Sequence, residues 1–402
     1  EVTGDIVPEK SWANELKIIG LDTTGTDQFG DAVSISGDYA IVGAPYNDDV
    51  PDNSGSAYIF TRDGTTGVWS QQKIVTTDAA DGDGFGWTIA ILGDYAIVGA
   101  LRNDDSYTNS GSAYIFKRNG TTWSEQAKLV TTDAAANDEF GRSVSIDGEY
   151  AIFGAPVKSG NGAAYIFKRD GDTWSEKAKL VTTDAASNDY FGMYVSISGD
   201  YAIVGAPYND DIGTESGSAY IFKRSGDAWS EQAKLLASDK AGTDYFGQNV
   251  SISGDYAIVG AHGNDDSFNG SGSAYIFTRV TDTTWTQQKI LPNDPTTNDN
   301  FGYSVAIDGS YVIVGAIGNG GSVYIFKREG TTWSQLVKLT GGDTVSGDQF
   351  GFSVAIEGGY AIVGARSKPG GGAAYIYELT PIAGLTFDGY NQLALTNTPT
   401  YV

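Results

Sequence analysis

Residues Phe29–Pro45 read FGDAVSISGDYAIVGAP. Two runs of alternating apolar residues, Val33–Ile35 and Tyr39–Ala44, flank Ser36, Gly37 and Asp38. Period-two alternation on both sides of a tight turn, with glycine supplying a positive φ, spells a β-hairpin of strands A and B. Downstream, a variable loop leads to GSAYIFTR at Gly55–Arg62, which predicts strand C near Ser56–Thr61. A turn at Asp63 and Gly64 precedes strand D, Trp69–Val75.

This unit repeats along the chain. Its Phe-Gly recurs at Phe29, Phe85, Phe140, Phe191, Phe246, Phe301 and Phe350, at intervals of 49 to 56 residues. Four antiparallel strands per repeat of this length predict propeller blades. The fold class is therefore all-β, a seven-bladed β-propeller over residues 1–378, with a tail or linker from 379 to 402. Seven blades need seven D strands. Trp69, Trp123, Trp174, Trp229, Trp285 and Trp333 mark six, and Trp12 marks the seventh ahead of the first Phe-Gly. The N-terminal strand near 12–20 is thus expected to complete the last blade and clasp the ring.

The chain has 402 residues, no cysteine and a formal net charge of −25. Lack of cysteine excludes disulfides, thiolate metal sites and thiol catalysis. The acidic field disfavours nucleic acid and anionic membranes, and no stretch approaches the ~18 apolar residues that span a bilayer. Each D strand carries a lysine (Lys17, Lys73, Lys128, Lys179, Lys234, Lys289 and Lys338), read as protection of an exposed sheet edge.

The seven Phe-Gly pairs, together with the Gly-Ala-Pro at Gly43–Pro45, Gly154–Pro156 and Gly205–Pro207, resemble the FG-GAP repeat, a family that includes the propeller head of integrin α subunits. The resemblance covers roughly residues 12–378. It implies a secreted or cell-surface role in binding or adhesion. The D-x-D-x-D-G calcium loop of integrin-type repeats is absent, because the A–B connection is a short turn such as Ser36–Tyr39.

Acids concentrate on one face. Each D–A loop carries two Asp, from Asp22 and Asp27 in the first copy to Asp343 and Asp348 in the last. Four B–C loops add Asn-Asp-Asp: Asn47, Asp48 and Asp49; Asn103, Asp104 and Asp105; Asn209, Asp210 and Asp211; Asn264, Asp265 and Asp266. Extending the hairpin register sets Asp27 opposite Asp48, Asp83 opposite Asp104, Asp189 opposite Asp210, and Asp244 opposite Asp265. Directly opposed like charges are destabilising, and a calcium ion with its ~6–8 oxygen ligands would remove the conflict. Up to four calcium sites are expected. Tyr46, Tyr107, Tyr208 and Phe268 in the same loops are candidates to stack on a glycan or protein ligand.

The sole histidine, His262, replaces the Pro of Gly-Ala-Pro and reads as a degenerate repeat position, with a general base as the alternative. Near-identical blades argue against an active site, which would show as a concentration of odd residues. The expectation is a monomeric binding domain of a larger surface protein, recognising an extracellular protein or glycan. A carbohydrate-active enzyme in the central funnel and a structural spacer are the alternatives.

Overall fold

The computed structural model describes residues 10–48, 52–184, 186–211, 213–265 and 267–381, with the segments Leu385–Asp388 and Gln392–Leu395. Seven four-stranded antiparallel sheets form the blades of a ring. In blade 1 the strands are A, Val33–Ser36; B, Tyr39–Ala44; C, Ser56–Arg62; and D, Trp69–Ile74. Val33 pairs with Val42 and Ser36 with Tyr39, the hairpin register expected from the sequence. Blade 7 takes A, B and C from Phe350–Glu357, Tyr360–Ala365 and Ala373–Pro381, and its outer strand is Lys10–Ile18, with Lys17 opposite Tyr375. The N-terminal strand therefore closes the ring.

The blades join through the motif that defines the repeat. Each Phe of Phe-Gly makes a parallel bridge to the glycine before strand C of the preceding blade, from Gly55 with Phe85 round to Gly372 with Phe29. The Gly of one blade's Gly-Ala lies against the Phe-Gly glycine of the next. A Cβ on Gly43 would lie 2.0 Å from the Gly86 carbonyl oxygen. Gly86 has φ +96°, and its own Cβ would meet the Ser56 carbonyl oxygen at 2.3 Å. Both the backbone conformation and the space admit only glycine there.

Each Phe ring then sits edge-to-face on the strand C tyrosine of its own blade. Phe29–Tyr58 centroids are 5.4 Å apart and Phe350–Tyr375 5.3 Å. Such pairs contribute roughly 1 kcal/mol each beyond area burial. The hydrophobic cores lie between blades: Ile97 and Ile115 of blade 2 pack with Phe140 and Phe153 of blade 3. Of the predicted tail, Leu385–Asp388 pairs with Gln392–Leu395 as a separate hairpin, and the rest beyond Pro381 lies outside the described residues. Among the described residues no helix is long and apolar enough to cross a membrane.

The glycine contact gives a graded expectation. Gly86→Ala destabilises the protein by about 3 kcal/mol or more in urea unfolding, since strain and backbone overlap combine. Gly37→Ala, also at positive φ but with nothing within 4 Å of the new Cβ, costs about 1 kcal/mol.

Candidate functional site

The acidic loops form a repeated polar network. The first Asp of each D–A loop accepts a hydrogen bond from the ammonium group of the strand D lysine. Lys73 reaches Asp22 at 2.7 Å, Lys179 reaches Asp133 at 2.7 Å, and Lys17 reaches Asp343 at 2.7 Å. The seven lysines are thus ion-pair partners that tie strand D to the loop, not a bare edge row. In six of the blades the strand C tyrosine donates to the same Asp, as Tyr58 does to Asp22 at 2.6 Å.

The second Asp is buried in all seven blades. It accepts the backbone N–H three residues before it, as Asp27 does from Thr24 at 2.9 Å. It also accepts a side-chain N–H from the residue twenty positions on. In blades 1, 2, 4 and 5 that donor is Asn47, Asn103, Asn209 or Asn264. Blade 6 uses Asn319, at 2.8 Å from Asp299. Blades 3 and 7, which lack Asn-Asp-Asp, use the ammonium groups of Lys158 and Lys368, at 2.7 and 3.0 Å from Asp138 and Asp348.

The expected facing of acid on acid does not occur. The Phe-Gly glycine bulges the inner strand, so Gly30 N–H bonds Gly43 O and Tyr46 N–H bonds Asp27 O, two residues out of the hairpin register. Asp27 therefore meets Asn47, and Asp83, Asp189 and Asp244 likewise meet asparagines in place of Asp104, Asp210 and Asp265. Asp48, Asp104, Asp210 and Asp265 turn back to accept N–H groups five residues on, at Asn53, Asn109, Glu215 and Gly270. Asp105 and Asp211 pair with Lys128 and Lys234. Asp49 and Asp266 lie outside the described residues. This donor set does not fit calcium, because the buried carboxylates face N–H groups and the asparagine oxygens accept from Lys and Ser. Among the described residues no group of three or more His, Asp or Glu stands close enough to hold a metal ion.

A different site lies on the ring axis. The residue after Phe-Gly differs in every blade: Asp31, Trp87, Arg142, Met193, Gln248, Tyr303 and Phe352. All seven line one cavity of about 410 Å³. A second cavity, of about 700 Å³, shares Arg142, Met193 and Tyr208 with it and widens over the loops of blades 3 and 4.

Aromatic rings run round this mouth. Centroids follow at 5.1 Å for Tyr190–Tyr208, 5.6 Å for Tyr208–Tyr245, 5.2 Å for Tyr245–His262, 5.5 Å for His262–Tyr303 and 5.2 Å for Tyr303–Phe352. Arg366 lies 3.5 Å over Phe352 and donates to Asp31 at 2.8 Å. Opposite, Trp87 carries Arg102 at 5.4 Å and Arg142 at 5.3 Å, with Tyr46 edge-on at 6.0 Å. Burial pulls His262 down to about 4, so its imidazole is neutral at pH 7. Burial holds Asp31 above the usual carboxylate range despite Arg366.

Of the sequence-picked aromatics, Tyr46 and Tyr208 belong to the mouth. Tyr107 and Phe268 occupy a different loop position, about half exposed, and none of their described contacts is with the mouth.

The FG-GAP repeat profile matches residues 12–60, 69–116, 123–167, 174–222, 229–277, 285–326 and 333–377. The chain belongs to the FG-GAP repeat family. No curated protein matches it. Each FG-GAP match starts in strand D of one blade and ends in strand C of the next, so a sequence repeat bridges two blades. That phase explains why the first repeat contributes its leading strand to the last blade.

The FG-GAP motif accounts for the ring but not for the mouth. The expectation that no odd residues concentrate anywhere is corrected: Met193 and His262 are the only Met and His, and Trp87 is the one Trp outside the strand D positions. Aligning the seven copies and looking for a variable column between Phe-Gly and strand A would have exposed the site.

Two outcomes test the network. Lys158→Ala leaves Asp138 buried without its cation and costs about 3–5 kcal/mol, whereas Lys158→Asn restores the donor of the other blades and costs under about 1 kcal/mol. Acid unfolding checks the outer Asp. Partial burial works to raise Asp133, but bonds from Lys179 and Tyr165 and the charge of Lys158 hold it down to about 2; at Asp343, bonds from Lys17 and Tyr375 do the same. Folded values below the ordinary ~3.9 contribute stability above that pH that is lost as pH falls through about 2. Tm should drop steeply between about pH 4 and 2, and Asp133→Asn should flatten the slope.

Proposed function

We propose that this chain is a secreted or cell-surface binding module that takes an extracellular protein or glycan ligand at the axial mouth. The observation that carries the reading is the convergence of seven different side chains, at one otherwise repetitive position, on one cavity. Concave sites of about 300–1,000 Å³ lined by aromatic and a few polar groups are the usual form of ligand sites. Membership of the FG-GAP family, with its likeness to integrin heads, supports an adhesive role and a place as one domain of a larger surface protein.

Binding without turnover is the reading favoured over catalysis. Asp31 is engaged by Arg366, and His262 is neutral and packed between two tyrosines. Neither presents a free acid–base pair.

The test is a panel of immobilised matrix proteins and oligosaccharides probed with the purified chain. Trp87→Ala combined with Tyr208→Ala should weaken binding at least about tenfold, ~1.4 kcal/mol, with Tm unchanged. Lys117→Ala, on the opposite face, should leave it intact. Equal binding by the mouth variant would overturn the reading, and release of shortened saccharide would favour an enzyme. Calcium is tested alongside by Tm with calcium and with chelator. The hydrogen-bonded loops predict the same value in both, and a rise lost in Asp48→Ala would reinstate a metal.

A further inference from the structure

We infer that the axial mouth takes an acidic saccharide, its anionic group held between Arg102 and Arg142 and its sugar rings laid against the aromatic arc. The inference rests on the mouth being the ligand site.

The distribution of arginine carries it. Six arginines, Arg62 and its repeats, stand at the end of strand C, each over a tyrosine of the preceding blade. They belong to the blade-to-blade contacts. The other three, Arg102, Arg142 and Arg366, sit at repeat positions where arginine does not recur, and all stand at the mouth. In a chain of net charge −25, such clustering of extra positive charge is unexpected from the fold alone.

The three differ in how far this chain neutralises them. Asp31 engages Arg366. Glu139 approaches Arg142 only to 3.5 Å. Arg102 is exposed and forms no ion pair among the described residues. Both guanidinium groups approach the Trp87 ring, Arg102 at 5.4 Å and Arg142 at 5.3 Å from its centroid, and the ring holds them without cancelling their charge. A guanidinium fork matches a carboxylate or sulfate with paired hydrogen bonds.

The remaining surface selects the carrier of that anion. Tyr190, Tyr208, Tyr303 and Phe352 are half-buried, and the C–H face of a sugar ring suits such aromatic surface. Gln248 and Tyr194, themselves joined at 3.2 Å, supply amide and hydroxyl groups deeper in the cavity for sugar hydroxyls. An acidic peptide would use the arginines but leave the aromatic arc without a role. Nucleic acid is opposed by the net charge.

The experiment is an array of uronate-containing and sulfated oligosaccharides, each beside its carboxyl-reduced or desulfated counterpart, with hexaglutamate as the peptide control. At least one acidic oligosaccharide should bind, its neutral counterpart at least tenfold more weakly, with affinity falling as salt rises. Arg102→Gln and Arg142→Gln should each lower that binding at least fivefold. Arg102 is exposed, so its variant keeps the fold intact, checked by Tm. The uronate and sulfate arms identify the anion. Equal binding of the neutral counterparts, or of hexaglutamate, would overturn the inference. So would arginine variants that bind like the parent, or absence of any acidic saccharide among the ligands. If Trp87→Ala with Tyr208→Ala still abolishes binding of a neutral glycan or a protein, only the acidic class fails. If no ligand depends on those two residues, the mouth itself fails as the site.

Discussion

The close approach of backbone to backbone between neighbouring blades is the constraint on which the remaining structure depends. Gly43 meets the Gly86 carbonyl, Gly205 meets that of Gly247, and Gly364 meets that of Gly30, each at a distance no Cβ could occupy. This contact sets the separation of the inner strands. It places each Phe ring on its tyrosine, and it bulges the strand so that the acids behind it meet asparagine. A blade cannot bury its faces alone, and stacking against neighbours supplies the core, as in other repeat folds. Ring closure imposes the same spacing seven times, so an error at one junction is shared by all.

The second constraint is the buried second Asp of each D–A loop. A carboxylate removed from water must be given donors. The chain gives the same two at every blade, a backbone N–H and a side-chain N–H twenty residues on. That the side-chain donor alternates between an asparagine amide and a lysine ammonium shows what is required: a proton donor at a fixed point, with charge secondary. Lys158 and Lys368 fill the position in two of the three blades where the Asn-Asp-Asp loop is missing, and Asn319 fills it in the third, so those blades keep the bracing by other means.

The fold was legible because its determinants are local and recur. Period-two runs, x-Gly-x turns and seven Phe-Gly marks give strand number, order and the closing strand without any long-range information. The acidic loops were legible only in part. Extending the hairpin register past Val33 ignored the bulge at Gly30, a feature set by contact with another blade, and so paired Asp27 with Asp48 in place of Asn47. The mouth was obscured for the opposite reason. Its residues are unlike one another, and a reading tuned to repetition passes over Trp87, Arg142 and Met193 as noise.

Their dissimilarity follows from the same physics that makes the other positions alike. Strands B and C face neighbouring blades on both sides, so Ile41 or Tyr58 must fit a space fixed by the ring. The residue after Phe-Gly has its backbone held by the glycine bulge and the inter-blade bridge, whatever its side chain. That side chain enters axial space that no other blade must fill. Substitution there is nearly free of packing cost, whereas a volume change in the interleaved core is not. The propeller thus separates its two tasks by position: the repeated residues build the ring, and the axial ones vary in charge, size and aromaticity without disturbing it. The axial ion pair of Asp31 with Arg366 spans blades 1 and 7, where the N-terminal strand closes the circle, and so links the chemistry of the mouth to the seam that completes the fold.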